Sequence, residues 1–268
     1  MIIISKIIVK YIINRDKDAK LNNKISVTIL TKNSQEYITE CLSGLILFEE
    51  VIILDNGSID KTIEIAKTFE NVKVFEHEFI GFGPMKQLGT FYAQNDWVLS
   101  VDSDEIFSTQ LVSEILNLKL DENCIYSILR DNYYNKRLIK ACGWDNDYQV
   151  RLFNKIKTNF NNKQVHEGLI QKNMNIVKLH HSFKHYTFKE AGELLLKMDQ
   201  YSTLYAHEYR GKKKSSPLMA FMKGSFAFVK NFFLQKGFLY GYEGLLISIS
   251  NANGVFYKYI KLYEENKK

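Results

Sequence analysis

The 268-residue sequence has no apolar run approaching the roughly 18 residues of a membrane-spanning helix, which argues against an integral membrane protein of the helical kind. It has only three cysteines, Cys41, Cys124 and Cys142, an odd number without paired spacing. They are expected to be reduced, which points to a cytoplasmic protein. No G-x-G-x-x-G follows the first apolar run, so a Rossmann dinucleotide site is not expected. There is no internal repeat and no low-complexity segment. The opening, MIIISKIIVKYIIN, is apolar, but Lys6 and Lys10 break it and no small-residue cleavage site follows, so it does not read as a signal peptide. Residues 1–23 read as an extension outside the main fold: an interfacial element, an extra strand or an unstructured lead.

What is present is ample material for a core, with 46% hydrophobic residues, and an ordinary 25% of charged ones. The net charge of +6 is concentrated. The window 207–236 holds seven Lys and Arg against the single acid Glu208, which leaves the rest of the chain near neutral. A local basic patch implies a local anionic partner, a membrane surface or a nucleic acid. The same stretch is rich in Phe, with Phe221, Phe226, Phe228, Phe232 and Phe233 interspersed with Lys223, Lys230 and Lys236. That composition fits an interfacial helix. It fits equally a dimer contact or a domain core.

The chain is organised around DWVLSVDSDE, residues 96–105. Its apolar run reads as a buried strand, and Asp102, Asp104 and Glu105 close it abruptly. Earlier runs at 25–30, 51–54 and 72–75 read as further strands. Helices at 35–47 and 59–69 separate them, the second capped by Ser58. Strands alternating with helices at this pitch mean βαβ units and a parallel sheet. Ligands in such sheets bind beyond the carboxyl ends of the strands, where this chain places TKNS after strand one, DNGS after strand two and DSDE after strand four. Two carboxylates one residue apart can share a hard divalent cation. They fit equally a solvated turn before a helix. Gly83-Pro84 reads as a helix start, with Lys86 either near an anion or solvated. Beyond strand four come a helix at 109–118, a strand at 124–129, aromatic hairpins over 130–153, and helices from residue 188 onward.

ISVTILTKN, VIILDNGSIDKT and DWVLSVDSDE, in this order and spacing, resemble the inverting family-2 glycosyltransferases of the GT-A fold. The resemblance is nearer still to the bacterial lipopolysaccharide-core glucosyltransferases, through EFIGFGPMKQ, GWDNDYQVRLFNK, QVHE, HYTF and KNFFLQKGFLYGYEGLL. It covers about residues 24–265. It implies a GT-A catalytic domain over 24–187, a mostly parallel twisted sheet with flanking helices, followed by an amphipathic helical region over 188–268 that contacts a membrane or a second copy.

The resemblance also implies roles. Thr31, Asn33 and Asp55 would hold the nucleotide, Asp55 accepting from uracil N3–H, although it also fits a plain turn residue. Lys86 would approach the diphosphate. Asp102, Ser103 and Asp104 look like the DXD motif, with Asp104 ranked first as direct ligand of Mg²⁺ or Mn²⁺ and His185 a candidate third ligand. His185 fits a structural histidine as well. An inverting transfer needs a general base. The order of candidates is Glu167, Asp147, Asp145, with a salt bridge from Glu167 to Arg151 as the rival role. Trp144 could stack on a sugar or pack in a core. The expected activity is transfer of a hexose, glucose from UDP-glucose, to a sugar of a lipopolysaccharide or lipooligosaccharide core. The enzyme would sit peripherally on the inner face of the cytoplasmic membrane, docked through residues 207–236, and would bind no nucleic acid. A protein or other glycan acceptor is the alternative, as is an inactive membrane-associated nucleotide-sugar-binding protein.

Overall fold

The computed structural model describes residues 24–163 and 167–268. The N-terminal extension 1–23 and His166 of QVHE lie outside them. Contacts divide the chain into two compact units. One takes the chain up to Arg130 together with Tyr148–Lys184, and the other takes Asp131–Asp147 and His185–Lys268.

The first unit is built on a sheet whose strands run β1 (Ile25–Thr31), β2 (Glu50–Asp55), β3 (Val72–Glu76), β4 (Trp97–Asp102), β5 (Glu105–Phe107), β6 (Cys124–Tyr134), β8 (Tyr148–Asn154) and β9 (Asn175–Phe188). Their order across the sheet is β3-β2-β1-β4-β8-β6-β9-β5. β1 pairs in parallel with β2 and with β4, and β2 with β3. β4 meets β8 antiparallel. β1 and β2 are apolar and buried along nearly their whole length, as strands covered on two faces must be. The helices between them are α1 (Ile38–Gly44), α2 (Thr62–Ala66), α3 (Phe82–Tyr92) and α4 (Thr109–Leu116). The core gathers Ile52, Leu54, Met85, Val98, Ile125 and Phe153. Each such side chain stabilises the fold by roughly 1.5–3 kcal/mol.

Helix starts differ from the sequence expectation, and α1 begins at Ile38 and not at residue 35. α2 begins at Thr62, not at residue 59, with Lys61 at its N-cap. Ser58 is not free to cap it, because its hydroxyl donates to Asp55 Oδ1 at 2.5 Å and accepts the Asn33 N–H at 2.9 Å. α3 starts at Phe82 after Gly81, which sits at φ 108, so Pro84 is the third helical residue and not the first.

In the second unit the end of β6 forms a hairpin with β7 (Arg137–Leu138). The helices are α5 (Ala191–Tyr209), α6 (Pro217–Val229) and α7 (Gly241–Glu265). A π-helical turn, Lys230–Leu234, and a short 3-10 segment, Gly237–Tyr240, join the last two. α5 and α6 pack on α7. The core here is Tyr134, Ile139, Ala141, Cys142, Leu194 and Ile247. No helix among the described residues is long and apolar enough to cross a membrane.

Candidate active site

The carboxyl ends of β1, β2 and β4 are tied together by side chains. Thr31 Oγ1 donates to Asp55 Oδ1 at 2.9 Å. Asp55 Oδ2 accepts the N–H groups of Gly57 and Ser58 at 3.0 and 2.8 Å. With the Ser58 hydroxyl this makes four donors on one buried carboxylate, which has about four lone-pair positions. Any uracil N3–H therefore competes with four internal donors, and Asp55 holds the shape of the turn. Asn33, at φ 52, accepts the Ile59 N–H at 2.9 Å through its side chain. Ser34 and Ser103 share a hydrogen bond of 2.8 Å, which links the loop after β1 to the turn after β4.

Ser103 and Asp104 form that turn, between Asp102 at the end of β4 and Glu105 at the start of β5. Asp102 meets two cations. Its Oδ1 lies 3.2 Å from Lys86 Nζ and its Oδ2 accepts from Arg151 at 2.7 Å. Arg151 also bridges to Glu105, a fully buried carboxylate. Glu105 Oε2 in turn accepts the Asp102 N–H at 3.0 Å. The β4–β8 register, Leu99 opposite Leu152, is what brings Arg151 to the acidic end of β4. Lys86, buried on α3, reaches a second carboxylate: Glu167 Oε1 is 2.9 Å from its Nζ. The rival role for Glu167 was a salt bridge, with Arg151 as the example. The structure gives it Lys86 instead, since Arg151 is engaged by Asp102 and Glu105.

Gly83 makes this approach possible. A side chain there would collide with the carbonyls of Asn161 and Lys163, and its N–H donates to Lys163 O at 3.0 Å. The backbone of 161–163 can therefore lie against the first turn of α3, and the Asn161 N–H donates to Gly168 O at 2.9 Å, which ties the neighbour of Glu167 to the same segment.

The charges alter one another. Burial would raise the Asp102 carboxyl, but Arg151 and then Lys86 hold it well below the usual range. Glu105 is pushed up to about 8 by burial, opposed by Arg151 and helped by Asp102 and Asp104. Burial would lower the Lys86 ammonium, yet the Asp102 carboxylate raises it above its ordinary value. Arg151 Nε is buried without an acceptor among the described residues.

The remaining candidates lie in the second unit. Asp147 Oδ2 accepts from Asn132 Nδ2 at 2.9 Å. His185 is buried, its Nδ1 2.8 Å from Asn132 Oδ1 and 2.9 Å from Thr187 Oγ1, which is the setting of a structural histidine. Asp145 is exposed. Trp144 packs beside Phe188, ring centroids 6.0 Å apart. Among the described residues no cluster of three or more His, Cys, Asp or Glu side chains is arranged to hold a metal. The pair Asp102 and Asp104 nevertheless has hard oxygen donors suited to Mg²⁺ or Mn²⁺, ions that commonly take one or two carboxylates and complete their shell with phosphate oxygens and water. Sequence reasoning missed Glu105 as the buried partner of Arg151. Its signal is an acid leading directly into the apolar pair Ile106-Phe107.

A parallel βαβ half with hydroxyls, a lysine and paired carboxylates at its carboxyl edge offers a polar, charged site where such sheets bind their ligands. Residues 26–176 match the family model "Glycosyl transferase family 2". The chain belongs to glycosyl transferase family 2; it is a glycosyltransferase, and its mixed sheet with flanking helices is of the GT-A type. It is 29% identical over 262 residues to the uncharacterized glycosyltransferase RT0209 of Rickettsia typhi, covering 90% of this chain and 87% of that protein. It is 22% identical to the lipopolysaccharide core biosynthesis glycosyltransferase LpsC of Rhizobium meliloti, over 90% of this chain and 93% of that one. Among solved structures, residues 1–349 of S. aureus TarS with UDP-GlcNAc align at TM-score 0.46 and 15% identity, covering 86% and 90% of the two chains.

Proposed function

We propose that the chain is an inverting, metal-assisted hexosyltransferase that moves glucose from UDP-glucose to a sugar of a lipopolysaccharide or lipooligosaccharide core. The observation that carries this reading is the cluster of Lys86, Asp102, Glu167 and Arg151 beside the Asp102-Ser103-Asp104 turn. The relation to LpsC supports the acceptor class.

The loops after β1 and β2, through Thr31 and Asn33 and the turn held by Asp55, take the nucleoside. Lys86, raised in its affinity for a proton, stays charged and faces the diphosphate. Asp104, with Asp102, holds Mg²⁺ or Mn²⁺, which when bound neutralises charge on the leaving diphosphate. Glu167 is the general base: it takes the proton of the acceptor hydroxyl as that oxygen bonds to the anomeric carbon and the bond to the diphosphate breaks. The 2.9 Å contact with Lys86 fixes the position of the Glu167 carboxylate. The helical region 188–268 meets the membrane carrying the glycolipid through the basic window 207–236.

The test is turnover of radiolabelled UDP-glucose, UDP-GlcNAc, GDP- and dTDP-sugars with Mg²⁺ or Mn²⁺ and a deacylated core oligosaccharide. Transfer from UDP-glucose with inversion, abolished by Glu167→Gln and lowered by Asp104→Ala, is the expected result. Absence of transfer or hydrolysis of every donor, with nucleotide binding indifferent to Asp104→Ala, overturns the reading.

A further inference from the structure

Between Glu208 and Glu243 the chain has no acid and seven cations: Arg210, Lys212, Lys213, Lys214, Lys223, Lys230 and Lys236. Of these only Arg210 meets a carboxylate among the described residues, Glu265 at 3.5 Å. The same stretch folds into α6 and the turns after it, and its orientation is fixed. Ala220 and Gly224 are buried. A side chain at Gly224 would press on Phe256 Cβ at 3.1 Å and Ala252 O at 3.3 Å, so this small-residue face is the one that packs on α7.

The opposite face of α6 is left uncovered within the unit. Leu218, Phe221, Met222 and Phe226 are 69%, 63%, 62% and 64% exposed, and Val229 is 45% exposed. At 100° per residue these five positions span about 140° of the helix surface. Lys223 and Lys230 fall within about 60° of the Phe226 edge of that stripe; the Lys223 Nζ rests 4.9 Å from the centre of the Tyr259 ring of α7, and the Lys230 side chain can lie along apolar surface and lift its ammonium group to a polar layer. The exposed apolar surface continues through Phe233, Leu234, Phe238 and Leu239 in the connecting turns. Phe221 also shares a groove with Ile249 of α7.

Two occupants are chemically plausible for such a face, and charge separates them. A second copy seated face to face would set one acid-free basic stretch against another. An anionic bilayer complements an apolar stripe bordered by lysines. We propose that the outer face of α6, with the exposed residues of the turns after it, inserts at the headgroup boundary of an anionic phospholipid bilayer, with Lys223 and Lys230 on the headgroups. This deepens the membrane part of the proposed function and rests on it: the face brings the transferase to a lipid-anchored acceptor.

The test is sedimentation of the full chain with vesicles of phosphatidylcholine alone and of phosphatidylcholine mixed with phosphatidylglycerol. Binding is expected only to the mixed vesicles and is expected to weaken as salt rises. Replacing the apolar face (Leu218→Ser, Phe221→Ser, Phe226→Ser) should weaken it at least about tenfold, as should Lys223→Glu with Lys230→Glu. A Phe226→Trp variant, whose fold the other readouts can verify, should be quenched by brominated lipid on binding. No binding, equal binding to neutral vesicles, or a doubled mass in light scattering that the serine variant returns to a monomer's would overturn the proposal. Turnover of the nucleotide sugar on a water-soluble acceptor is measured in parallel and should be unchanged in the serine variant. Absence of vesicle binding by the unmodified chain, with its turnover intact, defeats the docking face alone, whereas vesicle binding without any turnover defeats the transferase reading alone.

Discussion

Lys86 holds Glu167 at 2.9 Å while it also touches Asp102 at 3.2 Å, so one buried ammonium joins the strand-four carboxylate to the candidate base. Removing that ammonium should do more to turnover than to folding, because Asp102 keeps Arg151 as a partner. For Lys86→Met we expect kcat/KM to fall by about 10²–10³, the usual effect of deleting one preorganised charge. The KM for the nucleotide sugar should rise as well. Steady-state kinetics with the melting temperature measured alongside check this. A loss of stability that accounts for all the lost activity would count against the role given to Lys86.

Arg151 is the opposite case, a buried cation whose removal leaves Asp102 with Lys86 alone and takes the partner from Glu105. Glu105 is fully buried and Asp102 shares the same guanidinium. Breaking a buried pair by deleting one partner costs about 3–5 kcal/mol, so Arg151→Met should lower the free energy of unfolding measured in urea by an amount in that range. Arg151→Lys keeps the charge but loses the fork that serves two carboxylates, and should fall between wild type and Arg151→Met.

These two residues show what a sequence can and cannot disclose. β1, β2 and β4 were legible because strands buried on two faces must be continuously apolar, and their polar ends follow as loops. Asp102 was named as a site residue for that reason, and Lys86 from the helix start at Gly83-Pro84 and the family resemblance. Their meeting with Glu167 was not legible, because it depends on Gly83 admitting the backbone of 161–163. The Arg151–Glu105 pair was hidden for a similar cause: it exists only in the antiparallel register of β4 with β8. Ser58 was read as a helix cap, since the sequence does not reveal that Asp55 and Asn33 compete for its hydroxyl.

Glu105 gives the stability a pH dependence of definite sign. Its carboxyl is pushed from an ordinary 4.5 up to about 8 in the folded chain, so between those values the folded state holds a proton that the unfolded state has released. Its contribution is fully present below about pH 4.5 and is lost as pH rises toward 8, with a limiting slope of about 1.4 kcal/mol per pH unit. Asp102 works the other way, but its depressed carboxyl matters only at and below the ordinary carboxylate range. Stability measured by urea unfolding should therefore decline across pH 5–8. Glu105→Gln, which cannot ionise, should flatten the decline. An unchanged slope in that variant would show that Glu105 does not hold the proton.

Gly83 offers a way to move Glu167 without touching a charged group. A methyl at Gly83 would meet backbone carbonyls of Asn161 and Lys163, which cannot swing aside as a side chain would. Gly83→Ala should therefore push that segment off the first turn of α3. Overpacking of this kind costs about 1–3 kcal/mol, a loss the fold can survive. The larger effect should be on chemistry, since a shift of about 1 Å in a reacting group can cost about 10² in rate. Lys86 and Asp102 remain in place, so donor binding should hold while kcat falls, and Glu167→Gln added to Gly83→Ala should lower kcat less than it does in wild type. Gly57→Ala provides the contrast: that glycine has a φ of 91 and open space around it, so its cost is backbone strain at the turn below Asp55 and should appear in donor KM. The two alanine variants together separate displacement of the base from distortion of the nucleotide loop.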